Sequence, residues 1–315
     1  EFFKSFDSII VFEGETPLYR LALSLKAGKK ENIPNVIYKD TKTEYSENHT
    51  EEDLDKIACP DVDGLPLNKY YGRQGNQNAL TYETSRGCYW ARCAYCVDLP
   101  LPKPAYRRRS PDLVVRDIKR LKKKYRVNSL LLSDPGLSPR QMLEIAQRII
   151  KERIKIGWWT MARLDHGFNK RIFTIAFRAG LRQINFGFES ASDRVCSLLD
   201  KGNAKARSVR IIRECAESGI KVDLQTMVGL PQETFSDGLE TVQFLIDNKK
   251  YIASVTFNIY YLTPANYIYQ NPSKYNLSFK KLKSMPFRFF TPFKNVSGIT
   301  ENEAALLQQL YYSLL

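Results

Sequence analysis

Long apolar segments are missing from this sequence of 315 residues. No run of about 18 or more apolar residues occurs, which predicts a chain without a membrane-spanning helix. A charged-then-apolar leader of the signal-peptide kind is missing too, and so are internal repeats and long polar tracts. With 43% hydrophobic residues, the chain is instead expected to fold around a packed core. These absences favour a folded cytoplasmic protein that makes no contact with a membrane.

Histidine is scarce, with two residues in the chain, and neither has the sequence spacing of a metal ligand. Six cysteines are present, and Cys88, Cys93 and Cys96 fall within nine residues as C-x4-C-x2-C. A disulfide-stapled secreted domain would normally be smaller and have more evenly spaced cysteines, so the pattern predicts a reduced intracellular chain with one metal site. Cys196 and Cys215 lie on predicted helices and are interpreted as buried apolar residues.

The three clustered cysteines follow a predicted strand, where a loop is expected. Thiolates are soft ligands suited to iron–sulfur clusters or to zinc. Three thiolates bind three irons of a cubic cluster and leave the fourth iron open for a substrate, whereas electron-transfer clusters are normally closed by four cysteines. A zinc site is the alternative, and it needs a fourth ligand, which Cys59 supplies only if the polar segment before the loop folds back.

Basic residues are in excess, and the formal net charge is +14. Such a surplus favours acidic partners, such as nucleic acid, phosphorylated substrates or an acidic peptide. The strongest basic runs, residues 106–109 and 119–124, lie on or before a predicted helix. No base-specific motif accompanies them, so a solvated basic face is the competing interpretation. A zinc- or cluster-stabilised nucleic-acid-binding module is therefore the non-enzymatic alternative for this chain.

Short β-rich runs alternate with amphipathic helical stretches from about residue 79 onward. The predicted strands occupy residues 79–84, 129–133, 156–161, 183–188, 220–228 and 254–261. The predicted helices occupy residues 111–125, 139–151, 169–178, 193–199, 206–218 and 235–248. About six successive strand–helix units predict an α/β fold with a parallel sheet, either open or curved into a full or partial barrel. Ligands of such folds gather at the carboxyl ends of the strands.

Four parts of the chain are distinguished by composition. A strand followed by a helix in residues 1–30 is predicted to be the last βα unit of a Rossmann-like domain, and residues 31–78 form a polar linker. Residues 79–264 form the parallel α/β core, and residues 265–315 form a small C-terminal extension. The chain begins with Glu1 and not Met, and it ends within an apolar helical pattern, so both ends are expected to be cut.

The extension is rich in aromatic residues. Two interpretations are open, a cap over the mouth of the barrel or a layer that covers the core, and the second is favoured because aromatic residues more often pack than bind. The residues concerned are Tyr267, Tyr269, Tyr275, Phe279, Phe287, Phe289, Phe290 and Phe293.

The cysteine loop, with Ser-Arg-Gly at residues 85–87 before it and the aromatic Tyr95 just before Cys96, resembles the cluster loop of the radical S-adenosylmethionine (SAM) superfamily. The usual spacing in that family is C-x3-C-x2-C, and here one more residue separates Cys88 from Cys93. The resemblance implies a partial (β/α)6 barrel in which the three cysteines hold a [4Fe–4S] cluster and Tyr95 contacts the cofactor. The cluster would reductively cleave SAM to a 5′-deoxyadenosyl radical that abstracts hydrogen from the substrate.

Four further segments extend the resemblance to contacts with SAM. Glu189 and Ser190, at the end of the fourth predicted strand, occupy positions that face SAM in the cobalamin-associated branch of the family. Gly229 lies in a turn similar to the one beside the adenine, and Arg163 matches a position near the SAM carboxylate. Asp134 stands where the family contacts the methionine amino group.

The residues by themselves leave a second interpretation for two of these positions. Glu189 also fits a surface carboxylate stabilised by the dipole of the following helix. Arg163 also fits a salt bridge with Asp165.

Residues 6–16 resemble the end of the cobalamin-binding domain that precedes the barrel in that branch, so the resemblance spans residues 6–264. It implies cobalamin as a candidate cofactor and methyl transfer as a candidate reaction, although the chain has no Asp-x-His-x-x-Gly segment for a lower cobalt ligand. The alternative enzyme is a cobalamin-independent one that modifies a peptide or a natural product. The implied partners are a small-molecule or peptide substrate and a one-electron reductase such as flavodoxin or ferredoxin.

Overall fold

The computed structural model describes residues 5–29, 31–40, 51–70, 78–96, 105–264, 266–280 and 290–314. These residues divide into two compact units, one up to Asp61 and one from Val62 onward. The first unit contains strand β1 (Ser8–Ile10), helix α1 (Glu15–Lys26) and strand β2 (Val36–Tyr38). The two strands pair antiparallel. Its assignment to a Rossmann-like domain stays a prediction, as do the bounds of the four predicted parts.

The second unit carries the remaining strands and helices. Its strands are β3 (Ala79–Tyr82), β4 (Ser85–Arg86), β5 (Arg107–Arg108), β6 (Ser129–Leu132), β7 (Gly157–Arg163), β8 (Leu181–Glu189), β9 (Lys221–Val228), β10 (Ser254–Ile259), β11 (Leu277–Ser278) and β12 (Lys294–Asn295). Its helices are α2 (Pro111–Tyr125), α3 (Pro139–Lys151), α4 (Lys170–Arg178), α5 (Asp193–Leu198), α6 (Lys205–Glu217), α7 (Phe235–Asp247), α8 (Tyr267–Gln270) and α9 (Glu301–Ser313). None of the helices in the described part of the chain is both long and apolar enough to cross a membrane.

One parallel sheet organises this unit. Its six strands follow the order β10-β9-β8-β7-β6-β3, and every neighbouring pair is parallel. Strands that follow one another along the chain are joined by helices and lie side by side, as expected for βα units that wind in one direction. The predicted α/β fold with a parallel sheet is confirmed. Within the described ranges, β3 and β10 form the two edges of the sheet.

The two faces of the sheet differ in polarity, and β8 shows how. Side chains alternate along a strand, and Ile184, Phe186 and Phe188 are completely buried on one face. Phe188 stacks on Phe244 of α7 with ring centroids 4.5 Å apart, so this apolar face lies under the helices. The opposite face of β8 carries Asn185 and then Glu189. A buried parallel strand is normally apolar on both faces, so the polar face marks the side on which ligands are expected.

The C-terminal extension completes the core around the cysteine loop. Its Ile268, Tyr275 and Leu277 are buried in one apolar cluster with Ala94 of the loop and Leu199. This packing agrees with the interpretation of the extension as a layer that covers the core. Two of the aromatic residues named for this extension, at positions 287 and 289, lie outside the described residues.

Gly180, between α4 and β8, provides a test of the packing at the start of the central strands. It has φ +99°, and a Cβ added there would lie 1.9 Å from the carbonyl oxygen of Ile156. Because the clash is with backbone at the start of a strand, we expect Gly180→Ala to lower the free energy of unfolding by about 3 kcal/mol. The urea midpoint measures this loss.

Gly157→Ala is the matched control. A Cβ at Gly157, the first residue of β7, would lie 3.7 Å from the carbonyl oxygen of Asn128, which is an ordinary van der Waals contact. We expect its free energy of unfolding to change by less than about 1 kcal/mol. Equal urea midpoints for the two variants would show that the backbone at Gly180 does not lie as close to the Ile156 carbonyl oxygen as the structure places it.

Candidate active site

A cavity of about 160 Å³ lies at the carboxyl ends of the central strands. Six of the nine site residues predicted from the sequence line it: Cys88, Cys93, Cys96, Tyr95, Arg163 and Glu189. The three others, described below, do not. The structure thus brings the cysteines together with Tyr95 of the same loop. It also brings them together with Arg163 from the end of β7 and Glu189 from the end of β8.

The cysteine loop is anchored on the segment that follows α5. The Trp90 indole Nε1 donates to the carbonyl oxygen of Asp200 at 2.7 Å, and the Ala94 N–H donates to that of Leu199 at 2.9 Å. Gly202 has φ +73°, and a Cβ there would lie 2.5 Å from the Trp90 ring. Glycine is therefore required at this position, since any side chain would displace the indole. The loop and the 199–202 segment form one packed unit.

Arg163 connects this unit to the end of β7. Its guanidinium Nη1 lies 3.6 Å from Cys93 Sγ, and Nη2 donates to the carbonyl oxygen of Lys201 at 2.6 Å. The guanidinium also lies 4.6 Å from the centroid of the Trp90 ring. The alternative salt bridge with Asp165 is not formed, and within the described ranges no carboxylate pairs with Arg163. The buried cation faces a cysteine sulfur instead.

Glu189 and Lys201 form a buried ion pair in the cavity. Lys201 Nζ lies 2.8 Å from Glu189 Oε1, and the two side chains are 6% and 10% exposed. Gly187 leaves room for the pair, because a Cβ there would lie 2.9 Å from both charged atoms. Lys201 Nζ also lies 5.6 Å from the centroid of the Tyr95 ring. Burial and the nearby Glu189 carboxylate hold the pKa of the Tyr95 hydroxyl well above its ordinary value.

The burial of Glu189 rules out its interpretation as a surface carboxylate. Its φ of +67° and the register shift where β8 meets β9 mark an irregular strand end at this residue. The ion pair with Lys201 occupies one of its two oxygens.

Asp134 supports the loop from below and does not line the cavity. Its carboxylate accepts hydrogen bonds from the N–H and hydroxyl of Thr84 at 2.9 and 2.7 Å, and from the N–H and hydroxyl of Ser85. Burial raises the pKa of this carboxyl to about 6, against the effect of these hydrogen bonds. The structure therefore places Asp134 where it fixes the chain leading into the cysteine loop, and its contact with the methionine amino group of SAM stays a prediction.

Ser190 and Gly229 do not line this cavity either. The Ser190 hydroxyl is 3.2 Å from that of Thr241 in α7 and accepts from the N–H of Ser192. Gly229 lines a second cavity of about 450 Å³, which contains residues of the C-terminal extension and none of the cysteines. Gly229 has φ +80°, and a Cβ there would lie 3.2 Å from the Cβ of Ala304 in α9, so its backbone conformation and the packing of α9 both favour glycine.

Lys201, Asn185 and Gln225 line the cavity but were not among the predicted site residues. Asn185 is 5% exposed, and within the described ranges its Oδ1 accepts no hydrogen bond. A buried polar atom without a partner is expected to be satisfied by a ligand or a water molecule. The sequence signal for Asn185 was its place between Gln183 and Glu189 at alternate positions of β8. Lys201 belongs to the stretch that resembles the cobalamin-associated branch, but no periodic pattern relates it to Glu189, twelve residues before it.

The donor set fits an iron–sulfur cluster. Cys93 is buried, and Cys88 and Cys96 are half-buried. In the described part of the chain, no three His, Cys, Asp or Glu side chains converge closely enough to hold one metal ion. Thiolates around a cubic cluster each bind a different iron, so they surround the group and need not meet at one point. Cys88, Cys93 and Cys96 would hold such a cluster and leave one iron without a protein ligand.

Comparison with known proteins places the chain in a family. A family model for the Radical SAM superfamily matches residues 82–245, just over half of the chain. The chain belongs to this superfamily. Its members are enzymes that use a [4Fe–4S] cluster and SAM. Membership decides for the enzyme and against the nucleic-acid-binding module suggested by the charge.

Individual relatives are distant. An uncharacterized methyltransferase of Pyrococcus horikoshii, PH0819, is 24% identical over 98% of this chain and 67% of its own length. The cobalamin-dependent SAM radical enzyme OxsB, solved with aqua-cobalamin bound, matches 98% of this chain and 51% of its own, with a TM-score of 0.74 and 18% identity.

The radical SAM methyltransferase TsrM of Kitasatospora setae, solved with cobalamin and a [4Fe–4S] cluster, matches 83% of this chain and 53% of its own, with a TM-score of 0.62 and 18% identity. At this identity the two structures show a shared fold. The chain spans about two thirds of the methyltransferase and about half of each solved protein.

Glu233 is a further buried residue that the sequence did not single out. It is completely buried at the turn after β9, where one carboxylate oxygen accepts from the N–H groups of Gly229 at 2.6 Å and Leu230 at 3.1 Å. Among the described residues its other oxygen has no partner. Burial, only partly offset by these hydrogen bonds, raises the pKa of Glu233 to about 8.

This shift predicts a pH-dependent stability. Because the native pKa of about 8 exceeds the ordinary value of 4.5, the native state binds the proton more tightly than the unfolded state does. The contribution to the free energy of unfolding is complete below about pH 4.5 and is lost as the pH rises through about 8. We expect a lower urea midpoint at about pH 9 than at about pH 5, and a smaller difference in Glu233→Gln.

The exposed Glu240, which pairs with Lys205, provides the control. Glu240→Gln is expected to keep the pH dependence of the original chain. If Glu233→Gln keeps it as well, Glu233 is ionised in the native protein and the explanation fails.

Proposed function

We propose that this chain is the SAM-cleaving part of a radical SAM enzyme of the cobalamin-associated branch, and that the whole protein transfers a methyl group to a small molecule. The observation that carries the proposal is the cavity in which three cysteines meet the Glu189–Lys201 ion pair and Arg163. The cobalamin-associated branch is supported by the match to OxsB over 98% of the chain, since OxsB is cobalamin-dependent. Methyl transfer is supported by the names of PH0819 and TsrM.

Each side chain in the cavity has a chemical role in this proposal. Cys88, Cys93 and Cys96 hold three irons, and the fourth is left to the amino and carboxylate groups of SAM. When bound, the cluster supplies the electron that cleaves SAM to methionine and a 5′-deoxyadenosyl radical. Lys201 offers its ammonium group to the SAM carboxylate, and Glu189 accepts from the ammonium or ribose hydroxyl groups of SAM.

The position of the cavity also matters for the reaction. The extension packs against Ala94 of the cysteine loop and against Leu199 after α5. A radical must be kept from water and held close to the carbon that it attacks. The Oδ1 of Asn185, which has no partner among the described residues, is available to orient a polar group of SAM or of the substrate.

A second candidate function is radical modification of a peptide or natural product without cobalamin. The observation in its favour is that these 315 residues contain no Asp-x-His-x-x-Gly segment. The substrate of this chain is a small molecule or a peptide. TsrM, which has been solved with a tryptophan substrate, supports the small molecule.

We also infer that the electron comes from a one-electron reductase such as flavodoxin or ferredoxin in the cytoplasm. The net charge of +14 favours association with an acidic carrier.

Anaerobic reconstitution with iron and sulfide tests the cysteine assignment. We expect about four irons per chain, a broad visible absorption, and 5′-deoxyadenosine that forms only with SAM and a reductant. Cys93→Ala is expected to lose most of the iron and all of the product. Cys196→Ala is the control, because Cys196 is buried beside Ser190 and does not line the cavity. One equivalent of zinc without cleavage of SAM would contradict the proposal.

The same assay separates the two candidate functions. Transfer of the methyl group of SAM leaves S-adenosylhomocysteine, whereas reductive cleavage leaves 5′-deoxyadenosine and methionine. S-adenosylhomocysteine that forms only when cobalamin is added supports methyl transfer. 5′-Deoxyadenosine as the single nucleoside product, with or without cobalamin, supports the second candidate.

Neighbouring residues allow a matched test of SAM binding. We expect Glu189→Gln to weaken SAM binding by about tenfold, because the variant loses the carboxylate and leaves Lys201 without an anionic partner. Ser190→Ala is expected to change it by less than about twofold, because that hydroxyl faces Thr241 in α7. Equilibrium dialysis with the cluster-loaded protein measures both. Equal weakening in the two variants would show that Ser190 faces SAM, as the sequence predicted.

A further inference from the structure

Arg163 is a buried cation without a carboxylate partner among the described residues. It is 6% exposed, and two of its three nitrogens are engaged, Nη2 by the carbonyl oxygen of Lys201 and Nη1 by Cys93 Sγ. Within the described ranges, Nε has no partner. An isolated buried charge is costly, so the site is expected to supply an anion. The group nearest to Nη1 that becomes anionic when metal binds is the Cys93 thiolate.

The direction of Nη1 is fixed by the surroundings of the guanidinium. The carbonyl oxygen of Lys201 holds Nη2 at 2.6 Å, and the Trp90 ring lies against the guanidinium at 4.6 Å. Trp90 is itself held by the carbonyl oxygen of Asp200 at 2.7 Å and by the absence of a side chain at Gly202. Two contacts therefore orient the guanidinium so that Nη1 faces the Cys93 sulfur.

A hydrogen bond to a cluster sulfur has a known electrostatic consequence. Reduction adds one electron to the cluster, and the added negative charge spreads onto the sulfurs. A positive donor next to a sulfur stabilises the reduced state more than the oxidised state, and hydrogen bonds to the sulfurs are among the terms that set cluster potentials. Arg163 provides both a full positive charge and an N–H donor, and it does so in a buried site where water screens little.

We propose that Arg163 is a positioning residue that donates to the Cys93 thiolate and raises the reduction potential of the cluster. The proposal rests on the proposed function, since it requires the three cysteines to hold a cluster. It differs from the role in binding the SAM carboxylate that the sequence predicts, because its effect on the cluster is present before SAM binds. The reaction concerned is the uptake of one electron from an external reductant, and no covalent bond of the protein forms or breaks.

A reductive titration of the reconstituted, SAM-free protein tests the proposal. Dithionite is the reductant, redox mediators set the potential, and electron paramagnetic resonance measures the reduced cluster. In Arg163→Met we expect the ratio of reduced to oxidised cluster at a given potential to fall by about tenfold, which is a midpoint lower by about 59 mV for one electron. In Arg163→Lys we expect a smaller decrease, because an ammonium keeps the charge but not the geometry of two fixed donors.

Arg92→Met is the matched control. Arg92 lies on the Trp90 ring as well, 4.8 Å from its centroid, but it is 62% exposed and pairs with the Asp200 carboxylate. Its removal takes away one cation beside the same indole without touching the contact to Cys93. We expect the original midpoint potential in this variant.

Three outcomes would overturn the proposal. One is an unchanged midpoint in Arg163→Met at equal iron content. Another is a difference that appears only after SAM is added, which would assign Arg163 to SAM alone. If Arg163→Met does not retain iron, Arg163→Lys becomes the test variant. An unchanged midpoint potential in Arg163→Lys is then the third outcome that would overturn the proposal. Failure of the original protein to bind a cluster is a different result, and it would contradict the proposed function.

Discussion

The contact between the cysteine loop and the segment 199–202 is the constraint on which the site depends. The backbone of this segment accepts hydrogen bonds from Trp90, Ala94 and Arg163, while its Lys201 side chain enters the cavity. The segment follows β8 and α5 directly, so the parallel sheet fixes its position and, through it, the position of the loop. One short piece of chain thus sets the path of the cysteines and also supplies a charge to the space that they enclose. A change in that piece would alter both at once.

Charge balance gives the site its second constraint. Among the residues that the structure describes, two buried cations, Arg163 and Lys201, face the cavity together with one buried carboxylate, Glu189. An excess of buried positive charge is unfavourable unless anions compensate for it. A cluster ligated by three thiolates and the carboxylate of SAM are anions of the required sign. The positive charge of the cavity is therefore balanced only when these anionic ligands are bound.

Local sequence patterns predicted the sheet well, because each strand–helix unit carries its own signals. Ser138 caps α3 just before Pro139, and the predicted bounds of that helix agree with the observed ones. The cysteine spacing likewise indicated a cluster. Contacts between distant residues left no such local signal. Asp134 bonds to residues fifty positions away, and the Glu189–Lys201 pair spans twelve residues with no periodic relation. Proximity in the sequence to a site residue did not imply a place in the cavity.

The unusual spacing between the first two cysteines has a physical explanation in the anchoring contact. Between Cys88 and Cys93, Ala91 adopts φ +48°, a left-handed conformation that costs a residue with a Cβ about 1 kcal/mol. The two residues that flank Ala91 both contact Asp200, which lies outside the loop. The Trp90 indole donates to the Asp200 carbonyl oxygen, and Arg92 pairs with the Asp200 carboxylate. Both contacts offset the local strain. The residues between Cys88 and Cys93 thus fasten the loop to the 199–202 segment, while the three thiolates still line one cavity.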